Sequence, residues 1–154
     1  MTGHLFHAVV MLLACVALAS ANDSPEPTVA PGDPDLATAR ARISAKDWAG
    51  AADVMQKALA KNPRNADYHN LLAYAVRNGG NPNMDVVFKH YQEALRLDPK
   101  HRGAHEYIGE AYLMVGNVGK AKEHLAALNK LCFFSCEEYR DLKKAIERYE
   151  ARPK

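Results

Sequence analysis

The residue types best equipped for chemistry in this 154-residue chain are its three cysteines and seven histidines. Cys132 and Cys136 bracket Phe133, Phe134 and Ser135. Their C-x-x-x-C spacing differs from the C-x-x-C of thioredoxin-like redox centres, and no strand pattern precedes it. The flanking Leu131, Phe133 and Phe134 predict burial, which would raise a thiol's pKa and blunt its reactivity. A structural disulfide is therefore expected, with free buried thiols and a redox or metal-binding pair as alternatives. Closing so short a span contributes about 2 kcal/mol through lost chain entropy and fixes the angle at which the last helix docks. Among the histidines, His101 and His105 have the i, i+4 spacing of a helical metal pair and need a third ligand. Ser24, Ser44 and Ser135 lie outside any G-x-S-x-G elbow, and no glycine-rich phosphate loop is present. The sequence thus predicts no catalytic residues, no metal site and no cofactor.

Positioning such residues requires a fold, and composition bounds it. The chain is 48% apolar and 25% charged, with 20 Lys plus Arg against 18 Asp plus Glu. A net charge of +2 is too small for a nucleic-acid footprint, and the near balance argues against disorder. Residues Ala8 to Leu18 form an unbroken apolar run, and Ala19-Ser20-Ala21 has the small-x-small pattern of a signal peptidase site. The run is short for a membrane anchor, which needs about 20 apolar residues. Residues 1–21 therefore read as a signal peptide and the protein as exported, to a periplasm or beyond. An N-terminal anchor, or lipid attachment at Cys15, is the less favoured alternative. Export places Cys132 and Cys136 as an even pair where a disulfide persists. Residues 22–33 hold three of the eight prolines and little that is bulky, so they read as an extended tether. Asp33 as N-cap and Pro34 at the first helical position then open the first helix.

From there the chain repeats. ADYHNLLAYAVRNGG (66–80) aligns with RGAHEYIGEAYLMVG (102–116) at an offset of 36, matching His69 with His105, Leu72 with Ile108, Ala73 with Gly109 and Gly80 with Gly116. Each segment is followed by a second helical pattern: Val87, Tyr91, Ala94 and Leu95 in one, Ala121, Leu125 and Leu128 in the other. An earlier copy of that second helix is KDWAGAADVMQKALAKNP (46–63). Histidine at one internal position of two copies is what packing predicts, more than metal binding.

These residues resemble the tetratricopeptide repeat family, whose units pair two antiparallel helices with small residues where they cross. The resemblance places Leu72 and Ile108 at family position seven, Ala73 and Gly109 at eight, and Ala51, Val87 and Ala121 at twenty. Ala58, Ala94 and Leu128 fall at twenty-seven, and Pro63, Pro99 and Phe133 at thirty-two. It implies an all-α, helix-turn-helix repeat solenoid over 34–150, with units at about 32–65, 66–101 and 102–135 and a capping helix at 136–150. Thr38 and Arg42 match the first unit poorly, so its first helix is expected to act as a cap. Asn81-Pro82-Asn83 makes the second unit two residues longer than the norm. In the last helix Lys143 stands where a small residue is usual, so this half-repeat is expected to face water, opened by a Ser135/Glu138 capping box.

In that family the first helices line a concave groove for peptides. Carried over, the groove positions are Asp67, Asn70, Tyr74, Arg77 and Asn78 in the second unit and Glu106, Glu110, Leu113 and Met114 in the third. Glu106 and Glu110 would repel a terminal carboxylate and, beside Tyr74, Leu113 and Met114, suit an apolar peptide carrying Lys or Arg. The sequence therefore reads as a non-enzymatic scaffold for a protein or peptide partner, with no nucleic acid and no small-molecule substrate. The alternatives are a metal- or thiol-handling accessory of the cell envelope, and self-association through the N-terminal repeat.

Overall fold

The computed structural model describes residues 32–153. The expected leader at 1–21, and residues 22–31 of the expected tether, lie outside the described residues. Seven helices and no strands are found among the described residues: α1 (Pro34–Ser44), α2 (Trp48–Lys61), α3 (Ala66–Asn78), α4 (Met84–Leu97), α5 (Arg102–Met114), α6 (Val118–Leu131) and α7 (Glu137–Glu150). The connections are three to five residues long, short enough to make successive helices antiparallel neighbours.

Capping chemistry sets where helices begin. Asp33 accepts from the backbone N–H groups of Asp35 and Leu36, and Pro34 follows at the first helical position. Asp47, Asn65, Asn83 and Asn117 cap α2, α3, α4 and α6 with side-chain oxygens. α5 uses the ring of His101, whose Nδ1 accepts from Ala104 N at 3.1 Å. The α7 start differs from the sequence expectation: Cys136 is the N-cap and no side chain bonds the end. The disulfide holds Cys136 at the helix boundary, which leaves Ser135 one residue too early to act as the cap.

Turn geometry separates two kinds of hairpin. The α1–α2 and α5–α6 turns each need one residue in the left-handed region, Lys46 (φ 58°) and Gly116 (φ 77°). Glycine pays no Cβ penalty there and lysine does.

Packing follows the repeat. Leu72, Ala73, Ile108, Ala51, Val87, Ala121, Ala58, Ala94 and Leu128, the recurrent positions, are all buried. The small residues permit close crossing: a Cβ on Gly109 would lie 2.7 Å from Leu142 Cδ2, so α7 packs directly on α5 there. The first helices α1, α3, α5 and α7 touch in succession, while α2, α4 and α6 each bridge two of them. The result is two layers, with α1, α3, α5 and α7 forming one continuous face.

His69 on α3 stacks on His90 of α4 (Nδ1 to Nδ1, 2.8 Å), and His105 on α5 meets His124 of α6 in the same way (2.9 Å). The other ring nitrogens of His69 and His105 face the carbonyl oxygens of Pro63 and Pro99 at 3.0 and 3.1 Å. A carbonyl only accepts, so Nε2 of each first-helix histidine carries the proton. In the neutral pair its Nδ1 then accepts from Nδ1–H of the second-helix histidine. Burial and the neighbouring His105 hold the His124 ring down at about 4. Burial and His69 lower His90 as well. The repeated histidines are thus hydrogen-bonded packing pairs between the two helices of a unit.

Candidate functional site

The face shared by α1, α3, α5 and α7 carries a groove, and its centre is a buried cation. Arg77 projects from α3 and is almost fully enclosed. Its guanidinium lies 5.4 Å from the ring centre of Tyr74 and 5.7 Å from that of Tyr107, and its Nη2 donates to Glu110 Oε2 at 2.7 Å. The two tyrosine rings are themselves 4.6 Å apart, and Trp48 meets Tyr74 edge-on at 6.1 Å. Such a stack keeps aromatic surface rigid with few rotors to freeze on binding. Tyr107 is partly buried in it and its hydroxyl is pushed up to about 12, by burial first and then by Glu106.

Between α5 and α7 the groove has two ends of opposite charge. At the N-terminal ends of both helices, Gly103, Glu106, Tyr107, Glu137, Glu138 and Asp141 line a cavity of about 230 Å³. At their C-terminal ends, Arg148 and Arg152 stand with Met114, Tyr149, Ala145 and the Arg77–Glu110 pair around a second cavity of about 200 Å³. A third cavity of about 360 Å³, between α1, α3 and α5, is lined by Arg40, Ile43, Leu71, Tyr74 and Tyr107. Burial first, then Glu110, Asp141 and Glu138, push the Glu106 carboxyl up to about 8.

No family model and no curated protein matches the chain. Solved structures do. The TPR2B domain of yeast Sti1, in its pHsp70 complex, aligns with a TM-score of 0.67 at 15% identity, over 75% of this chain and 93% of that one. The Yersinia enterocolitica type III secretion chaperone SycD, in complex with a peptide of the translocator YopD, aligns at 0.62 and 16%, over 75% and 86%. MamA from Desulfovibrio magneticus RS-1 aligns at 0.57 and 21%, over 63% and 54%. The fold is a tetratricopeptide-repeat solenoid.

Within the solenoid, the expected groove residues divide into three groups. Tyr74, Arg77, Glu106 and Glu110 come together on the concave face, and exposed Met114 borders its basic end. Asn70 is 4% exposed and lies beneath the face, whereas Leu113 packs with Leu128, Leu142 and Ile146 and shows only an edge to the basic cavity. α7 continues the first-helix layer and covers most of the α5 surface at Leu113, leaving that edge at the cavity wall. Asp67 and Asn78 are exposed at the margins, Asp67 against His101 Nε2 at 3.2 Å and Asn78 donating to the Tyr74 carbonyl. Glu110 is already paired with Arg77, so of the two glutamates expected to meet a basic ligand only Glu106 has no partner among the described residues.

Sequence reasoning missed Tyr107 on α5, which is not among the carried-over groove positions, and missed Asp141, Arg148, Tyr149 and Arg152 because the last helix was expected to face water. Its 3.6-residue pattern of Leu142, Ala145, Ile146 and Tyr149 carried the signal, since such a stripe must pack on something. His101 and His105 have their ring nitrogens engaged by Ala104 N, Asp67, His124 and the Pro99 carbonyl. Cys132 and Cys136 are disulfide-bonded, with Cα atoms 5.6 Å apart. Phe133 and Phe134 between them are 93% and 83% exposed, which overturns their expected burial. A closed five-residue loop points them outward at a place where no helix lies over them.

Proposed function

We propose that this protein is an exported, non-enzymatic scaffold that binds an extended peptide segment of another protein along the α3–α5–α7 face. The observation that carries this reading is the groove itself: half-buried tyrosines held rigid by Arg77, flanked by an acidic and a basic end. Stacked helices fix these groups before binding, so the cost of ordering falls on the peptide alone. Two proteins of similar fold, Sti1 and SycD, are each seen with a partner, pHsp70 and a YopD peptide. Opposite charges at the two ends give a peptide a preferred direction as well as an address. The apolar run at 8–18 and the Cys132–Cys136 disulfide support an oxidising, exported setting.

The test is selection of random peptides displayed on phage against the immobilised protein, with an Arg77→Met, Glu110→Leu double variant as counter-target. Enrichment of peptides that fail on the double variant is the expected result. Absence of enrichment, or peptides that bind both targets equally, would refute the groove. Self-association through the N-terminal repeat has less behind it, because the large exposed apolar residues among those described, Met114, Val115, Phe133 and Phe134, all belong to the C-terminal half.

A further inference from the structure

The acidic cavity between α5 and α7 has a feature that a merely solvated acidic surface lacks. Glu106 lines it yet is only 9% exposed, and among the described residues it has neither a hydrogen bond nor an ion pair. Arg77, the cation that favours its ionised form, is bonded to Glu110 at 2.7 Å. Just behind the wall, Asn70 is buried with its Oδ1 unpaired, its Nδ2 3.5 Å from where a Cβ on Gly103 would stand. A carboxyl so enclosed, without a protein partner and opening on a cavity lined by three more carboxylates, points to an absent cationic donor. No group of three or more side chains among the described residues is arranged to hold a metal ion, which favours an organic cation.

We infer that this cavity receives one basic side chain, lysine or arginine, of the bound peptide, with Glu106 at its floor and Glu138 and Asp141 at its mouth. The inference rests on the peptide-binding reading and specifies which side chain anchors it. Gly103 leaves the wall open and Tyr107 supplies a flat apolar side for the methylene stem. Arg102 is half-exposed at the rim, 3.4 Å from Glu138, and can swing into water as the ligand enters.

Binding is coupled to a proton. Glu106 is faced by Glu110 on its own helix, by Glu138 and Asp141 on α7 and by Arg77 on α3, and the acidic neighbours with burial hold it protonated at neutral pH. An entering ammonium or guanidinium stabilises the carboxylate and expels the proton. With Glu106 near 8 in the free protein and its midpoint lowered by one unit or more on binding, apparent affinity then rises at least about fivefold between pH 6 and pH 8.

The experiment follows the Glu106 side-chain carbon by NMR in the full chain, titrated with N-acetyl-lysine methylamide and, as control, its uncharged norleucine analogue. The lysine compound should lower the Glu106 titration midpoint by at least one pH unit and bind more tightly at pH 8 than at pH 6. Glu106→Gln should weaken it at least tenfold, and so should Gly103→Leu, which fills the cavity without touching its charge. Equal binding of the two compounds, a flat pH profile in the unaltered protein, or undiminished binding by folded Gly103→Leu would each overturn the inference. Display-selected peptides separate it from the broader reading. Peptides that need Arg77 but show no preference for Lys or Arg refute the cavity's role and leave groove binding standing.

Discussion

Replacing His124 with Gln should flatten the acid limb of the protein's stability profile. The neutral His105–His124 pair joins α5 to α6, and the His124 ring sits near 4 in the fold against 6.5 in an unfolded chain. A base with a depressed folded value binds fewer protons folded than unfolded. Its contribution is therefore complete above pH 6.5 and drains away as pH falls toward 4. At pH 5 the shift corresponds to about 2 kcal/mol for a sealed ring, and to about 1 kcal/mol once the ring's partial contact with water is allowed for. Glutamine cannot titrate but keeps an N–H for His105 Nδ1. Urea unfolding at pH 7.5, 6.5, 5.5 and 5.0 should show the unaltered protein losing about 1 kcal/mol more than the variant, or about 4 °C in melting temperature. Ring nitrogen shifts should independently show the Nδ1–H form of His124. Parallel stability profiles, or an Nε2–H tautomer at His124, would refute the reasoning.

Other perturbations probe how the layers are joined. Gly109→Val should destabilise by about 1–3 kcal/mol, because its Cβ meets Leu142 and forces α7 off α5; a smaller loss in thermal unfolding would mean α7 is loosely docked. Reducing the Cys132–Cys136 bond, or Cys136→Ser, should cost about 2 kcal/mol, read by the same melt with and without reductant. Lys46→Gly should stabilise by up to about 1 kcal/mol by relieving the left-handed backbone that Gly116 occupies freely in the equivalent turn. An unchanged melt would show that Lys46 is not strained.

The helical repeat was legible because packing constrains residue size at each crossing. Leu72 and Ile108, or Ala73 and Gly109, recur for the same reason that they are buried. The histidine pairs were half legible: His69 and His105 align, whereas His90 and His124 align only after the two extra residues of the Asn81-Pro82-Asn83 turn are removed. Nothing in the sequence linked Arg77 to Glu110, because that pair spans two units and depends on the stagger of α3 against α5. Covering by neighbouring helices was the part of the groove that residue positions alone did not reveal. How far a first-helix position faces a ligand depends on the next first helix, and α7 covers all but an edge of Leu113 while leaving a cavity at Glu106.

The central claim is that the concave layer binds a peptide. Its most direct test is a backbone amide NMR map of the protein with a display-selected peptide. Shifts should concentrate on α3, α5 and α7 around Tyr74, Tyr107, Glu106 and Met114, and leave the outer faces of α2, α4 and α6 unchanged. Shifts confined to those outer faces, or to the exposed Phe133 and Phe134, would contradict it.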